Sequence, residues 1–316
     1  MKHAIAIALA TIISLVLPNA LLADGKPLTL GLIADGPYRT ALALRIARAV
    51  DHVDGLRVLP VIGASPAQDL ADLAELRGID LALVPSDSVA FRRGEGLEPA
   101  AGGKIDYLVK LANIDVALLA GASIQSLANL NGKRLAIRSA THASYETSLT
   151  LIRALKLDVT VLPFNGDDAI AAVQDGRADA AVLVGVSPLP ELARLKPGSG
   201  LHLVAIPPGP ALNEFYAPSL LTAKLYPGLL KPDESVETIS SSLVIAAVRW
   251  PKGSPQQQHL AVFAKALFAG LMQDSEGAGI NLNSGVAGWT RSAAADLALE
   301  ELAKNSANIP ATTQEN

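Results

Sequence analysis

The chain has 316 residues, half of them apolar but only 4% aromatic, so Ala, Leu and Val must build its interior. A formal net charge of −4 argues against nucleic acid and anionic membranes as partners. The absence of Cys excludes disulfides, thiol catalysis and thiolate metal sites.

The first residues set the compartment. Lys2 and His3 precede an apolar run from Ala4 to Leu17, followed by Pro18 and a small-residue exit from Ala20 to Ala23. A basic start, a short apolar core and a small residue before Asp24 predict a secretory signal peptide, 1–23, cleaved near Ala23. The run is shorter than the roughly 20 apolar residues needed to span a bilayer. No Cys follows it, so lipid attachment is excluded, and the expected location is the periplasm.

Next, Leu28 to Ile33 reads as a buried strand, Ala34-Asp35-Gly36-Pro37 as a turn, and Tyr38 to Val50 as a helix. Arg57 to Ile62 is a second strand. Ser65 and Pro66 then open a helix, Ala67 to Leu76, as N-cap and first helical residue. Ile79 to Val84 is a third strand, ending Pro85-Ser86-Asp87-Ser88. Strands alternating with helices at this pitch predict a parallel α/β sheet.

Residues 94–104 form a Gly- and Ala-rich loop. Asp106 to Ala112 and Ile114 to Ala120 are extended runs separated by Asn113. Ser126 caps a short helix before Gly132. Strands follow at Arg134 to Ile137, Val159 to Leu162, Ala180 to Val184 and Leu201 to Ile206, with helices near 142–155 and 167–175. Pro207-Pro208-Gly209-Pro210 is the clearest linker. Ile239 to Val248 is a strand, Gln256 to Met272 a helix introduced by Ser254-Pro255, 291–304 a last helix, and 305–316 a polar, flexible tail.

No arrangement carries an enzymatic signature. His52, His142, His202 and His259 lack metal-ligand spacing, and a nucleophile elbow, a phosphate-cradling loop and a dinucleotide fingerprint are all missing. Asp69, Asp72, Glu75, Asp167, Asp168 and Asp175 fall where solvated helix faces and caps are expected. No enzyme activity, cofactor or metal is therefore expected.

The strand-to-helix turns have the better claim, because a helix N-terminus above a parallel sheet offers unsatisfied N–H donors and partial positive charge. In the second half, Ser139, Thr141, His142 and Ser144 stand at such a turn. Ser139 or Thr141 would equally serve as a plain N-cap, and Arg138 and His142 as solvent-facing residues. In the first half Tyr38, Arg39 and Thr40 occupy the equivalent turn. Arg39 would grip a carboxylate with two parallel hydrogen bonds, or lie on the surface in a first turn that the helix dipole disfavours for a cation. Ser86 and Asp87 end the third strand, and Gly185 ends a second-half strand at the same level; capping is the alternative for the first two.

The order of elements resembles a type II periplasmic solute-binding protein, and most of all the TAXI group serving TRAP-type secondary transporters. The resemblance rests on Ala34–Thr40, on Val84-Pro85-Ser86-Asp87, on Ser126 to Leu135 and on Asp175-Gly176-Arg177-Ala178-Asp179-Ala180, and runs through about residues 27–275. The Ser126 to Leu135 stretch is its most specific part and is shared with binding proteins of ABC importers. Both anchoring turns differ from the family's usual Gly-rich sequences.

The resemblance implies two Rossmann-like α/β lobes with mainly parallel sheets joined by a two-strand hinge. Lobe one is expected at 24–115 and 208–304, lobe two at 116–207, with crossings near Ile114–Ala120 and Leu203–Pro210. It further implies a monomeric receptor that closes on a small organic anion, an amino acid or another carboxylate, and presents it to integral-membrane transporter subunits of the TRAP type. A binding subunit of an ABC importer and an exported ligand-sensing module for a sensor kinase use the same clamp and remain open at this stage. An exported hydrolase lacks a visible nucleophile–base pair.

Overall fold

In the computed structural model, which describes residues 27–97, 104–139, 143–164, 168–273 and 280–307, ten strands join in one curled sheet. The expected signal segment and the 308–316 end lie outside these residues. The first strands are β1 (Leu28–Ala34), β2 (Leu56–Ile62) and β3 (Leu81–Pro85), linked by helices α1 (Gly36–Val50) and α2 (Pro66–Glu75). A short helix α3 (Ser88–Gly94) leads to β4 (Ile105–Gly121). The second set is β5 (Lys133–Arg138), α4 (Ala143–Ala154), β6 (Val159–Phe164), α5 (Asp168–Gln174), β7 (Ala180–Gly185), α6 (Pro190–Ala193) and β8 (Leu201–Val204). Two strands, β9 (Ala217–Thr222) and β10 (Ser235–Val248), and two helices, α7 (Pro255–Gln273) and α8 (Ala293–Ala307), complete the chain.

The strand order is β2-β1-β3-β10-β4-β7-β5-β6, with β8 beside β4 and β9 beside β10. Pairing is parallel within β2-β1-β3 and within β7-β5-β6, where helical crossovers return each strand to the same end. It is antiparallel wherever β4 or β10 takes part. Those two strands are the spine of the molecule. The 17 residues of β4 fuse the two runs expected on either side of Asn113, which pairs with Ser242 and turns an exposed side chain outward. Its first half pairs with β10, from Ile105 opposite Val248 to Asp115 opposite Ser240, and its second half with β7 and β8.

The second long strand is β10. The 203–210 segment begins inside the second lobe, where Leu203 pairs with Leu119. After the Pro-rich linker the chain stays against that lobe: Leu212 and Tyr216 pack with Val116 and Leu118, and Leu221, Tyr226 and Leu230 pack with Ala117 and Leu119. Strand β9 carries no apolar alternation and contains Pro218, the signature of an edge strand, so its sequence gives little warning of it.

Both faces of the sheet are covered, and the period-two alternation of the strands says by what. Leu30, Leu32 and Ala34 of β1 and Leu243, Ile245 and Ala247 of β10 face Ile46 of α1, Phe263 and Phe268 of α7 and Ala294 of α8. Their neighbours Ile33, Val244 and Ala246 face Leu70 and Leu73 of α2 on the opposite side. In the second lobe Leu135 and Ile137 of β5 meet Leu151 of α4, while Ala136 meets Ala169 and Ala172 of α5. The small residues there set α5 close to the sheet.

Two features of the first lobe depend on missing atoms. The Gly78–Ile79 bend crosses β1 so closely that a Cβ on Gly31 would lie 1.9 Å from the Gly78 carbonyl oxygen. Asp80 clamps the crossing by exchanging hydrogen bonds with the Gly31 backbone. Asp69, expected on a solvated helix face, is instead fully buried. It packs over Gly63, where a Cβ would fall 2.0 Å from Oδ1, and that oxygen accepts the Ala64 N–H at 3.1 Å. Oδ2 has no partner. Burial, and then the nearby Asp35 carboxylate, push the Asp69 pKa up to about 7.

Gly31→Ala is expected to cost about 3 kcal/mol or more, because backbone rather than a flexible side chain blocks the methyl; a lowered urea midpoint checks this. The Asp69 shift also has a sign. A carboxyl whose folded pKa lies above its ordinary value adds stability that is fully present below that ordinary value and lost as pH rises through about 7. Asp69→Asn should therefore lose less melting temperature than the wild type between pH 5.5 and 8, by roughly 2–4 °C. Parallel curves would show that Asp69 titrates normally.

Candidate functional site

Strands β1 and β3 of one lobe and β5 and β7 of the other all end at a single cavity of about 520 Å³. Ile114 of β4 and Leu243 of β10 line it, so the cavity lies on the two strands that connect the lobes. Its size suits a small solute. Most of the wall is apolar, supplied by prolines and branched aliphatic residues such as Pro37, Pro85, Val184 and Leu189.

Four charged residues line it, as two opposed pairs. Asp35 is the residue before α1, where a capping carboxylate would be expected, yet it makes no capping bond. Gly36 adopts a φ of 68° and Pro37 follows, and Asp35 turns instead to the residue four positions on. Arg39 donates to it from Nε at 2.9 Å and from Nη2 at 2.6 Å, a side-on bidentate pair that is almost entirely buried. Across the cavity, Arg138 at the end of β5 pairs with Glu191 of α6. Each guanidinium thus faces the cavity already held by a carboxylate, which fixes its orientation and lowers the site's net charge.

A third polar group sits beside the strand crossing. Asp115, buried in β4, accepts the hydroxyls of Ser187 and of Ser219, the latter at 2.7 Å. The Tyr226 hydroxyl accepts the Leu189 N–H at 2.9 Å and lies 3.1 Å from Ser187 Oγ. Since Asp115 takes the Ser187 proton, the Tyr226 proton points at Ser187. The arrangement orients Ser187, which lines the cavity; among the described lining residues there is no histidine.

The residues singled out from the sequence divide accordingly. Tyr38, Arg39, Ser144 and Gly185 line the cavity, Tyr38 more than half exposed and Ser144 buried. Thr40 does not; its hydroxyl lies 3.4 Å from the Ala34 carbonyl oxygen. Ser86 is spent on the sheet: its N–H donates to the Ser242 carbonyl and its Oγ accepts the Ser242 N–H. Asp87 is buried behind the wall, where Oδ2 accepts the Tyr216 hydroxyl at 2.9 Å, Oδ1 has no partner, and burial raises its pKa. Ser139 lies outside the lining, its N–H bound to the Phe164 carbonyl. Thr141 and His142 lie outside the described residues. Among lining residues not singled out are Asp35, Glu191 and Thr147. The i, i+4 spacing of Asp35 and Arg39 is the one signal that points to a missed partner.

Among the described residues no group of His, Cys, Asp or Glu is placed to hold a metal ion, and no helix is long and apolar enough to cross a membrane.

No family model matches the chain, and no curated protein matches it. Solved structures similar to it include MatC from Rhodopseudomonas palustris with bound malate, at 19% identity and a TM-score of 0.47 over 87% of this chain and 97% of that one. A TctC solute binding protein from Polaromonas is similar at 14% identity and a TM-score of 0.47, over 88% of this chain and 96% of that one. The periplasmic aliphatic sulphonate binding protein SsuA from Escherichia coli is similar at 16% identity and a TM-score of 0.41, over 81% of each chain. At these scores the likenesses carry no argument about the solute, and the site rests on its own geometry.

Proposed function

We propose that this chain is an exported receptor that captures a small organic anion between its lobes and delivers it to a TRAP-type membrane transporter. The observation that carries the reading is the cavity on the β4–β10 spine, walled by Arg39 from one lobe and Arg138 from the other. A group bound there touches both lobes and so favours the closed arrangement by its differential affinity for it. The packing of residues 212–230 against the second lobe supports placing the return crossing at β10 rather than at residue 208. The N-terminal sequence supports export to the periplasm, and the element order supports the TRAP assignment. The expected ligand contacts are Tyr38, Arg39, Ser144 and Gly185 from the sequence reading, joined by Arg138 and Ser187.

Ligand-stripped protein should show a raised melting temperature with one of a set of amino acids, dicarboxylates or keto acids, and scattering should show compaction with the same compound. If none shifts the protein and none compacts it, the receptor reading fails. Arg39→Ala should weaken the compound that binds by roughly tenfold or more, the worth of about one charged hydrogen bond. Because the substitution also leaves the buried Asp35 without its partner, Asp35→Asn/Arg39→Ala is the matched control for loss of fold.

A further inference from the structure

Away from the cavity, one carboxylate bridges the lobes in a way the receptor function does not itself require. Glu146 is on α4 of the second lobe and is 5% exposed. Its Oε1 accepts the Ala67 N–H at 3.1 Å, in the first turn of α2 of the first lobe. Ser65, the N-cap of α2, accepts the next N–H, that of Gln68, and its hydroxyl lies near enough to Glu146 to favour the ionised form. Glu146 therefore caps, from the other lobe, a helix whose own cap leaves a donor over. Its second oxygen, Oε2, is buried with no partner. The adjoining Thr147 lies near Asp87 of the first lobe, where its hydroxyl favours that carboxylate's ionised form.

We propose that Glu146 is a proton-controlled latch between the lobes: protonated, it lets α4 seat on α2 and the cleft stay closed, and ionised, it releases that contact. The proposal rests on the two-lobed receptor reading above. The chemistry follows from the surroundings. The Ala67 N–H and the nearby Ser65 hydroxyl favour the ionised carboxylate, but burial outweighs them and Oε2 makes no hydrogen bond, a cost that disappears when the lobes part and water reaches it.

The charged and titratable groups around it favour the neutral form. Asp87, between β3 and α3, and Asp35, before α1, both act on it as negative charges. Tyr216 is committed to Asp87, and Arg39 to Asp35. Arg92 of α3 gives Nη1 to the Ala67 carbonyl. Arg153, one helical stretch further along α4, is paired with Glu95 at the exposed rim. Burial first, then the two carboxylates, push the Glu146 pKa up to about 7 in the closed form. Opening returns it to the ordinary range near 4.5. The closed form thus holds one more proton between these values, so closure is favoured below pH 4.5 and up towards neutrality, and that advantage is lost as pH rises through about 7. The closed-to-open ratio should fall about tenfold between pH 6 and pH 8.

The chain has no Cys, so Glu75→Cys on α2 and Gln174→Cys on α5, both exposed, place a unique pair of spin labels on the two lobes. In the otherwise wild-type protein the fraction at the longer distance should rise from pH 5.5 to 8.5 with a midpoint near 7. Glu146→Gln should hold the short distance throughout. Asp69→Asn, whose carboxyl lies within the first lobe, should keep the wild-type distance response. If Glu146→Gln does not fold by circular dichroism, Glu146→Ala replaces it and should also lose the response to pH. A wild-type distance independent of pH overturns the latch, as does a Glu146 variant that still responds like the wild type. L-glutamate, succinate and pyruvate are added at pH 8.5 as a separate arm. Shortening by one of them with no response to pH leaves the receptor standing and removes the latch, whereas no movement under either condition removes both.

Discussion

The antiparallel pairing of β4 with β10 is the constraint on which the rest of this molecule depends. Along the first half of β4 it fixes the register of the first lobe, since β10 in turn carries β3 and, through it, β1 and β2. Along the second half β4 carries β7 and β8, and β7 carries β5 and β6. Each lobe's own strands are parallel, so all their helix-ward ends point to one level, and the shared spine brings the two levels face to face. The cavity is a consequence of that arrangement before any ligand chemistry is considered. Its apolar floor, Ile114 and Leu243, is simply the spine seen from above.

The polar wall sets the charge pattern of the cavity. Two guanidiniums in a largely apolar space would repel each other and be costly to desolvate if left alone. Asp35 and Glu191 remove most of that cost while leaving some donors of each guanidinium uncommitted to its partner. On the receptor reading proposed above, an anion would be drawn less by net charge than by donors held in fixed directions. Behind the wall burial disfavours the charged forms of Asp87 and Glu146, and of the two it is Glu146 whose carboxyl takes a backbone N–H of the other lobe.

Much of the fold was legible because it is local. Strands β1, β2, β5 and β6 and helices α1, α2 and α4 fall where hydrophobic periodicity and Ser65-Pro66 or Gly36-Pro37 punctuation put them. The errors came where a long-range partner overrode a local signal. Asn113 reads as a break, yet the pairing with β10 carries the strand through it. Asp69 reads as a solvated helical carboxylate, yet Gly63 opens a buried space for it. The site was legible only as turns. Arg39 and Gly185 stand out because turn chemistry marks them, whereas Glu191 lies 53 residues from Arg138 and Glu146 lies 79 from Ala67, and no spacing rule spans such gaps. Ser86 and Asp87 stand at the right level of the sheet, but their side chains are consumed by Ser242 and Tyr216.

The hydroxyl chain through Tyr226, Ser187 and Asp115 has a mechanical side. Asp115 is the residue at which β4 exchanges one partner set for another, opposite Ser240 on one edge and Gly185 on the other. It also ties Ser219 of β9 to Ser187 of the cavity wall. On the receptor reading proposed above, a solute pressing on Ser187 would reach Asp115 through one hydrogen bond, with no intervening side chain to absorb the displacement. On that reading, occupancy would be felt at the strand crossing through three hydroxyls and one carboxylate.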